Sequence, residues 1–388
     1  MNRKLRMGMI GGGKDAFIGA IHRFAANMDG LIEVSAGALS TNPENAIASG
    51  KMLFLPADRT YLNYEEMITK EAALPANERI DFVTIVTPNF AHFAPAMMAL
   101  DHGFHVVIEK PMTFTLDEAK QLQKKVEETG LLLCLTHTYA GYPLVKQARA
   151  MVSDGVFGKI RKVWVEYPQG WLSNLSEKEG NAQAAWRTDP TKSGKCGCMG
   201  DIGTHAAHLA EYITGLEITH LCADLNIMVP GRLLDDDGGV LLKFNNGAAG
   251  VLMASQVAAG EENALKIRVY GEKGGIEWAQ HEPNTLLVKW LDAPTQILRA
   301  GGNYGNRLSS YAIKNSRTPG GHPEGYIEAF ANIYHSFAQT LSAKIDGTTP
   351  SPEALDFPNV ADGVRGMAFI DNVVASAQSD IKWTAYQL

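Results

Sequence analysis

The most informative run of the sequence is Phe104-His105-Val106-Val107-Ile108-Glu109-Lys110-Pro111. Its first five residues are mostly apolar or β-branched and follow Gly103, which predicts a short buried strand. Pro111 cannot donate a backbone hydrogen bond and disfavours helical backbone at Lys110, so the strand is expected to end there. In an open α/β sheet, ligands bind at this edge. The run therefore predicts a lysine held at a ligand-binding edge, although an ordinary solvated lysine would give the same pattern.

Length and composition narrow the class of protein. The 388 residues are enough for two domains, and 45% hydrophobic with 20% charged residues is ordinary for a globular chain. The net charge is −7 with scattered lysines and arginines, so neither nucleic acid nor an anionic membrane is expected as a partner. The four cysteines fit neither a disulfide framework nor a zinc-site spacing. No apolar run has the length of a membrane span or a signal sequence, so we expect a cytoplasmic protein. We also expect no resident metal ion, because the cysteine spacing does not fit one.

A glycine-rich turn follows the first predicted strand, Met7 to Ile10. Gly11, Gly13 and Ala16 match the pattern G-x-G-x-x-[G/A], and a predicted helix runs from about residue 16 to 28. The first glycine permits a tight turn, and the second lets the backbone approach a pyrophosphate on the first turn of the helix. A glycine turn that binds no ligand would also match. The candidate cofactor residues of this turn are Gly11, Gly13, Lys14, Asp15, Ala16 and Phe17.

Four further strands are predicted to alternate with helices. The strands are 32–39, 82–86, 104–108 and 131–135, and the helices are one opened by Asn42-Pro43-Glu44, 91–101 and 116–129. This alternation predicts right-handed βαβ units and a parallel sheet whose strands end at one edge. The residues predicted at that edge, besides the glycine turn, are Ser40, Thr87, Pro88, Asn89, Glu109 and Lys110, with Tyr139 shortly after the last strand.

The end of the second strand lacks an expected residue. An acid there would bind the adenosine ribose of NAD, and a nearby arginine would accommodate the 2′-phosphate of NADP. The strand instead ends in Ala38-Leu39-Ser40-Thr41-Asn42, and Glu33 lies at its start, which is the wrong end of the sheet. The residues alone therefore leave the choice between NAD and NADP open.

The second half of the sequence has a different pattern. A predicted helix and strand precede a long polar stretch, and several strands follow it without intervening helices, which predicts a mostly antiparallel sheet. Asn246-Gly247 is typical of a type I′ turn, and Gly274-Gly275 of another turn. We predict two domains, residues 1–138 and 139–388. The predicted elements are a helix 141–153, strands 160–167, 220–228, 240–244, 249–255 and 265–271, and helices 325–342 and 359–378.

The candidate chemistry of this half lies in Gly200-Asp201-Ile202-Gly203-Thr204-His205. Asp201 is expected near the start of a helix and shares a face with His205, four residues later. A carboxylate beside an imidazole favours the imidazolium and can orient the ring, as an acid/base group requires. Alternatively, Asp201 is a helix cap and His205 only its partner. A metal site made of Asp201, His205 and His208 is the third possibility, which no other His/Glu cluster supports.

Taken together, these parts resemble the glucose–fructose oxidoreductase / inositol dehydrogenase (Gfo/Idh/MocA) family. The resemblance covers nearly the whole chain, and the parts occur in family order: the glycine turn 11–16, Thr87-Pro88-Asn89 with His92, Glu109-Lys110-Pro111, Trp186-Arg187, and Gly200-Asp201-x-x-x-His205. It implies an α/β fold, with an N-terminal Rossmann doubly wound parallel sheet that binds NAD or NADP, NAD being slightly preferred. It also implies a C-terminal α+β domain with a large, mostly antiparallel open sheet, through which a homodimer or homotetramer would form.

The resemblance assigns roles to single residues. It makes Lys110 the catalytic lysine, His205 the general base or acid, and Asp201 a supporting carboxylate that binds substrate. Glu109 would contact the nicotinamide ribose. The cofactor residues that it implies outside the glycine turn are Ser40, Thr87, Pro88, Asn89, His92, Glu109, Lys110 and Arg187, and the substrate residues are Lys110, Tyr139, Arg187, Asp201 and His205.

The chemistry of alcohol oxidation fits these roles. Oxidising a secondary hydroxyl of a sugar, sugar derivative or cyclitol requires hydride transfer to a nicotinamide and removal of a proton. Imidazole suits the proton transfer, and the lysine ammonium would stabilise the alkoxide. Three alternatives stay open: an NAD-dependent glycosidase that works by transient oxidation, elimination and re-reduction, a non-catalytic sugar or cofactor sensor, and a metal-dependent isomerase. Further candidates for substrate contact are Tyr142, Trp171, Asp235, Asp236, His322 and Tyr326.

Overall fold

The structure is a computed structural model that describes residues 3–14, 16–302 and 307–388. Asp15, one of the predicted cofactor residues, lies outside the described residues. The chain forms two compact units, Met1–Gly141 with Tyr326–Val364, and Tyr142–Gly325 with Arg365–Leu388. The predicted domains 1–138 and 139–388 differ from these units because residues 326–364 return to the first one.

The helices and strands are numbered in chain order. The strands are β1 Leu5–Gly11, β2 Ile32–Ala38, β3 Phe82–Val86, β4 His105–Ile108, β5 Leu133–Leu135, β6 Lys162–Pro168, β7 Ile218–Asn226, β8 Asp237–Phe244, β9 Ala249–Ser255, β10 Lys266–Tyr270, β11 Gly274–Ala279, β12 Thr285–Trp290, β13 Gln296–Arg299 and β14 Thr384–Ala385. The α-helices are α1 Phe17–Asn27, α2 Pro43–Met52, α3 Tyr64–Ala73, α4 Phe93–Asp101, α5 Leu116–Thr129, α6 Pro143–Ser153, α7 Ala182–Arg187, α8 Pro190–Ser193, α9 Thr204–Thr214, α10 Ser310–Lys314, α11 Tyr326–Ile345 and α12 Val360–Ala377.

The first unit is built on a five-stranded parallel sheet. Its strand order is β2-β1-β3-β4-β5, so all five strands end at one edge, as predicted. The four residues of β4 are all buried, which explains why this run is apolar. One buried cluster joins Phe82 and Val107 of the sheet to Phe330 and Phe337 of α11. The late helix α11 therefore contributes to the core of the first unit.

Local signals place several helices of this unit where the sequence predicted them. The Asn42 side chain accepts a hydrogen bond from the backbone of Asn45 and caps α2, which has proline at its first position. A capping box between Thr115 and Glu118 starts α5. The helix α3 was not predicted.

The second unit contains a nine-stranded sheet. Its order is β13-β12-β11-β10-β6-β9-β8-β7-β14, and its pairs are antiparallel except for β6 with β9. The predicted alternation along β6 is confirmed, because Val163 and Val165 are buried whereas Trp164 is 38% exposed. Helices α6 and α9 pack against strands of this sheet. The alternating sequence therefore produces a mostly antiparallel sheet that is covered on one face.

Two turn predictions were wrong. In Asn246-Gly247 only the glycine has positive φ, at 87°, whereas a type I′ turn needs both residues there. The backbone N–H of Gly247 donates to Phe244 over 2.9 Å, as in a three-residue turn that ends in a glycine bulge. Gly274-Gly275 is not a turn but the start of β11, where the second glycine pairs with Tyr270. In that hairpin Glu272-Lys273 makes the turn, because Gly271 N–H donates to the Gly274 carbonyl over 2.7 Å.

Candidate active site

The glycine turn after β1 brings bare backbone to the edge of the parallel sheet. Gly11 and Gly12 have φ of 78° and 72°, a conformation that favours glycine. A Cβ on Gly12 would lie 2.6 Å from the Met9 methyl group, and a Cβ on Gly13 would lie 2.8 Å from the Leu39 carbonyl oxygen. The space beside the turn thus accepts no side chain. Such a turn fits the close approach of a dinucleotide pyrophosphate.

Gly19 of α1 also packs tightly against this turn, and the Ala16 backbone N–H donates to the Gly13 carbonyl over 2.9 Å. Helix α1 begins at Phe17, and Ala16 only precedes it. A Cβ on Gly19 would lie 2.4 Å from both Cα and the carbonyl oxygen of Gly12. Gly19 therefore permits the close packing of α1 on the turn, in addition to the fingerprint residues Gly11, Gly13 and Ala16. Its signal was visible in the sequence as a glycine inside the first turn of a predicted helix, where it weakens the helix unless packing requires it.

A serine of α2 also supports the turn and was missed in the sequence. The Ser49 hydroxyl is buried, accepts a hydrogen bond from the Lys14 backbone over 3.0 Å, and donates to Asn45. Of the other predicted residues, Phe17 is 70% exposed, and the half-buried Ser40 accepts from the Asn42 backbone over 3.1 Å. The end of β2 therefore supplies a hydroxyl rather than an acid.

The ends of β3 and β4 are joined by His92. Its Nε2 lies 2.7 Å from the Thr87 carbonyl oxygen, and its Nδ1 lies 2.9 Å from the Pro111 carbonyl oxygen. Burial lowers the pKa of His92, while its hydrogen bonds to the carbonyls of Thr87 and Pro111 act in the opposite direction. Asn89 is buried and begins a short 3-10 turn, and the Thr87 hydroxyl donates to the Ala91 carbonyl. The predicted cofactor residue His92 is thus engaged by backbone from two strand ends.

Glu109 at the end of β4 is held by three donors. Its Oε1 accepts from His22 Nε2 over 2.9 Å and from the Thr136 hydroxyl over 2.6 Å, and its Oε2 accepts from the Lys110 backbone over 3.2 Å. Burial raises the pKa of Glu109, but the hydrogen bond and charge of His22, the Thr136 hydroxyl and the Lys110 charge outweigh it and lower the pKa to about 2. Glu109 is therefore ionised at neutral pH. His22 and Thr136 were not assigned to the site from the sequence.

Lys110 lies where the sequence predicted it, directly after β4. Its side chain is half-buried, and the Lys110–Pro111 peptide bond is cis. Tyr139 lies in the 3-10 turn Thr138–Gly141 and is only 6% exposed. The first unit thus brings a glycine turn, an ionised carboxylate and a lysine to one sheet edge.

In the second unit, Asp201 lies in a π-helical turn, Met199–Gly203, which leads into α9. The alternative interpretation of Asp201 as a helix cap is not supported, because no side-chain cap bond is found at the start of the π-helical turn or of α9. The Asp201 Oδ2 accepts from Arg187 Nε over 3.2 Å and from Gln256 Nε2 over 2.9 Å instead. His205 lies in the first turn of α9, is 8% exposed, and has its ring 6.4 Å from the Tyr167 ring. Single π-helical turns are frequent at functional sites.

Asp235 and Asp236, two of the further candidates for substrate contact, accept hydrogen bonds from backbone N–H groups. The buried Asp235 carboxylate accepts from Gly197 N–H over 2.6 Å and from Met199 N–H over 2.7 Å, directly before the π-helical turn. Burial raises the pKa of Asp235, and these two hydrogen bonds oppose that effect. Asp236 accepts from two backbone N–H groups and from the Arg232 guanidinium. Asp235 thereby holds the segment that leads to Asp201, whereas Asp236 holds the segment that follows β7.

Arg187 lies between two tryptophans. Its guanidinium carbon is 4.2 Å from the Trp186 ring centroid and 5.8 Å from the Trp171 centroid. Beyond Asp201, amide side chains continue the hydrogen-bonded row: the buried Gln256 lies 3.5 Å from Gln169 Oε1, and Gln169 donates to Asn263 over 2.6 Å. Fixed amides, a carboxylate and a guanidinium can donate to and accept from several hydroxyl groups.

Comparison with known proteins decides the family. Residues 5–137 match the model described as "Oxidoreductase family, NAD-binding Rossmann fold", and residues 145–277 match "GFO/IDH/MocA C-terminal domain". The chain belongs to the GFO/IDH/MocA family. The predicted family, the α/β fold with its two sheets, and the predicted enzyme class of oxidoreductase are therefore confirmed. NAD is the one of the two predicted cofactors that the match supports.

Among the relatives that match nearly the full length of the chain are the following three. A solved oxidoreductase from Sinorhizobium meliloti is 44% identical, covers 99% of this chain and 100% of its own, and has a TM-score of 0.88. An inositol dehydrogenase homolog from Azotobacter vinelandii, solved with NADH and myo-inositol, is 34% identical, covers 100% and 98%, and has a TM-score of 0.90. Levoglucosan dehydrogenase of Pseudarthrobacter phenanthrenivorans is 27% identical over 98% of both chains.

Three further candidates for substrate contact remain. Tyr142 is 3% exposed, His322 is exposed with its Nδ1 3.3 Å from the Pro319 carbonyl, and Tyr326 begins α11.

Within residues 3–14, 16–302 and 307–388, no group of three or more His, Cys, Asp or Glu side chains is arranged to hold a metal ion. Within the same ranges, no helix is long and apolar enough to cross a membrane.

Proposed function

We propose that this oxidoreductase transfers a hydride between NAD and a secondary hydroxyl of a sugar, sugar derivative or cyclitol. The observation that carries the proposal is Lys110 beside the ionised Glu109, at the sheet edge that also carries the glycine turn. The names of the relatives support the substrate class, because one was solved with myo-inositol and another oxidises levoglucosan. In the second unit, Arg187 lies beside two tryptophans and near several amide side chains. This set of groups supports a substrate that is rich in hydroxyl groups.

Residues of the first unit would hold NAD. The turn at Gly11, Gly13 and Lys14 fits the pyrophosphate, with Ala16 and Phe17 at the start of α1. The residues that would line the rest of the cofactor are Ser40, Thr87, Pro88, Asn89, His92 and Glu109. When bound, NAD supplies the hydride acceptor or donor. The chain itself must supply the proton acceptor and stabilise negative charge on the substrate oxygen.

We assign those two tasks to Lys110 and His205, which requires that both act on the same substrate hydroxyl. The Lys110 ammonium would donate a hydrogen bond to that oxygen and stabilise its alkoxide character. His205 would take the hydroxyl proton, since imidazole titrates near neutral pH. Asp201, held by Arg187 and Gln256, would accept a hydrogen bond from a neighbouring substrate hydroxyl and support the base four residues later. Tyr139 and Arg187 would contribute further substrate contacts.

The test is a screen of cyclitols, aldoses and anhydrosugars with NAD and with NADP, followed by site variants on the best substrate. Lys110→Ala should lower kcat by about a hundredfold or more, and His205→Ala by a similar factor, while NADH binding measured by fluorescence persists. Lys124→Ala is the control, because its side chain is 78% exposed on α5. Near-normal turnover of Lys110→Ala would contradict the mechanism. Cleavage of a glycoside without accumulation of NADH would favour the glycosidase alternative.

We also propose that one face of the nine-stranded sheet forms a homodimer or homotetramer contact. Leu241 of β8 and Trp164 of β6 both pair with Val251 of β9, so these side chains form a row across three strands. Leu241 is 43% exposed and Trp164 38% exposed, and an apolar row of this kind is typical of an interaction site. Light scattering should show an oligomer for the wild type and a smaller species for Leu241→Glu. Leu291→Glu, at an 83% exposed loop position, is the control and should leave the mass unchanged.

A further inference from the structure

A buried arginine joins two loops of the second unit. Arg232 lies in the connection between β7 and β8, and its side chain is only 2% exposed. Its Nε and Nη2 donate to the two carboxylate oxygens of Glu177 over 3.1 and 3.3 Å, and Nη2 also donates to the Asn174 carbonyl over 2.8 Å. On its other side, Nη1 donates to Asp236 over 3.1 Å. The guanidinium therefore connects the residues before β8 to a turn that lies 55 residues earlier in the chain.

The two carboxylates that Arg232 joins are held in different ways. Asp236 also accepts from the backbone N–H groups of Met228 and Val229 over 2.7 and 3.0 Å, which fixes it within its own loop. Burial raises the pKa of Glu177, but the hydrogen bond and the charge of Arg232 outweigh this effect and lower the pKa. Glu177 is therefore ionised at neutral pH. A buried ion pair adds little stability over well-packed apolar side chains, but its bidentate geometry fixes its partners in one arrangement.

The turn held by Arg232 forms one hydrogen-bonded body with α7. This turn is the 3-10 turn Ser176–Lys178, and the Ser176 carbonyl accepts from the Asn181 backbone N–H over 3.1 Å. The Asn181 side chain in turn accepts from the backbone N–H groups of Gln183 and Ala184 and caps α7. The position of the turn therefore determines where α7 begins and which way it runs.

Arg187 is the last residue of α7 and makes a second, weaker connection at the far end of this body. Its Nε donates to Asp201 over 3.2 Å, and the two side chains are 24% and 16% exposed. Its Nη1 donates to Gln183 within the same helix, so that contact moves with α7. An ion pair that water reaches contributes less than a buried bidentate one. Of the two connections, we therefore expect the one through Arg232 to be the stronger.

We propose that Arg232 is a positioning residue for substrate binding: it clamps the segment 174–187 and so keeps Arg187 in place. This inference rests on the proposed role of Arg187 as a substrate contact. Without the clamp, Arg187 would spend part of its time away from Asp201, and binding energy of the substrate would be used to order the segment. Asp201 would keep its hydrogen bond from Gln256, so the change concerns the arginine rather than the carboxylate.

The first test releases the clamp from the side of the segment. Glu177→Ala leaves Arg232 paired with Asp236, and on the best substrate of the screen it should raise KM about tenfold while kcat stays within about threefold of the wild type. NADH affinity should be unchanged. Glu177→Gln keeps an acceptor for the guanidinium and should recover most of the loss, whereas Arg232→Lys should raise KM, because an ammonium lacks the fork of donors. Glu179→Ala, at an exposed position two residues later, is the matched control and should behave as the wild type.

A second measurement needs no substrate. Phenylglyoxal modifies arginine side chains, and the modification of Arg187 in the folded protein is quantified by mass spectrometry. It should be several-fold faster in Glu177→Ala than in the wild type, because a guanidinium released from Asp201 is more accessible, and hydrogen exchange of the backbone amides in 174–187 should accelerate with it. Glu179→Ala should leave both rates unchanged.

The outcomes separate this inference from the proposed function. If Glu177→Ala does not fold, Glu177→Asp decides, because it keeps the charge and shortens the side chain. Wild-type KM in every folded clamp variant would overturn the inference, even where hydrogen exchange of 174–187 is faster, and Arg232 would then be a purely structural anchor. Retained turnover of Lys110→Ala, or a screen without any substrate, would contradict the proposed function instead. Modification of Arg187 would then decide this inference, and a wild-type rate in the clamp variants would overturn it.

Discussion

The ionised Glu109 should make the stability of the first unit depend on pH in a defined range. In the folded protein its pKa is about 2, against an ordinary value of 4.5. At about 1.36 kcal/mol for each pH unit, this difference corresponds to a stabilisation of about 3 kcal/mol. Because the folded pKa is the lower one, the stabilisation is complete above about pH 4.5 and is lost as the pH falls toward 2.

The perturbation is Glu109→Gln, which keeps the shape and removes the charge. At about pH 7 the free energy of unfolding should be about 3 kcal/mol lower for the variant than for the wild type. The two free energies should converge as the pH falls through about 4 to 3. Glu66→Gln is the control, because Glu66 pairs with Lys70 on the surface of α3, where ion pairs contribute little.

The assay must report on the first unit separately. All six tryptophans lie in the second unit, so tryptophan fluorescence follows that unit and serves as an internal reference. Urea-dependent hydrogen exchange of backbone amides in 104–110, read by mass spectrometry, follows the first unit. A difference between wild type and Glu109→Gln that stays constant from about pH 7 to 3 would refute the reasoning, because the charge would then contribute nothing to the stability.

Three further changes have definite expected effects. Gly19→Ala puts a Cβ 2.4 Å from Gly12 backbone atoms and should weaken NADH binding about tenfold or more by fluorescence titration, whereas Gly30→Ala meets open space and should not. Asp235→Asn should lower the urea-derived free energy of unfolding by about 2–3 kcal/mol, because an amide loses one of the two acceptor oxygens that hold backbone N–H groups. Phe54→Gly should raise the melting temperature by about 2 °C, since Phe54 has φ of 57° at the end of α2, where glycine is preferred. Unchanged NADH affinity would contradict the prediction for Gly19→Ala. An unchanged urea midpoint would contradict the prediction for Asp235→Asn, and a lower melting temperature the prediction for Phe54→Gly.

Elements with complete local signals were predicted from the sequence. Phe82–Val86 and Leu116–Thr129 have the bounds that an apolar run and a capped amphipathic pattern indicated. Lys110 was found by the same logic, since a buried strand followed by proline fixes where the strand ends. Helix α3 was missed because only Met67, Ile68 and Glu71 of its ten residues are buried, so its apolar stripe is weak.

Partners that meet only through the fold could not be predicted. His22 lies 87 residues from Glu109 and 312 residues from Tyr334 along the chain, and neither separation leaves a local signal. On a predicted helix, His22 was one apolar-face residue among several. The partners of Asp201 could not be predicted for the same reason, because Arg187 and Gln256 lie 14 and 55 residues away along the chain.

Glu109 and Asp235 share a structural task, because each holds backbone beside a segment that leads to a proposed catalytic residue. Glu109 accepts from the Lys110 backbone, and Asp235 accepts from Gly197 and Met199 just before the turn that leads to His205. Charge-assisted bonds to backbone N–H groups are stronger than neutral ones, so a buried carboxylate is an effective way to hold an irregular segment in one shape. The pKa of Glu109 is lowered to about 2, so this carboxylate is a poor proton acceptor. We therefore expect these two acids to hold the segments that lead to the lysine and the histidine, and in the mechanism proposed above the substrate proton passes to His205.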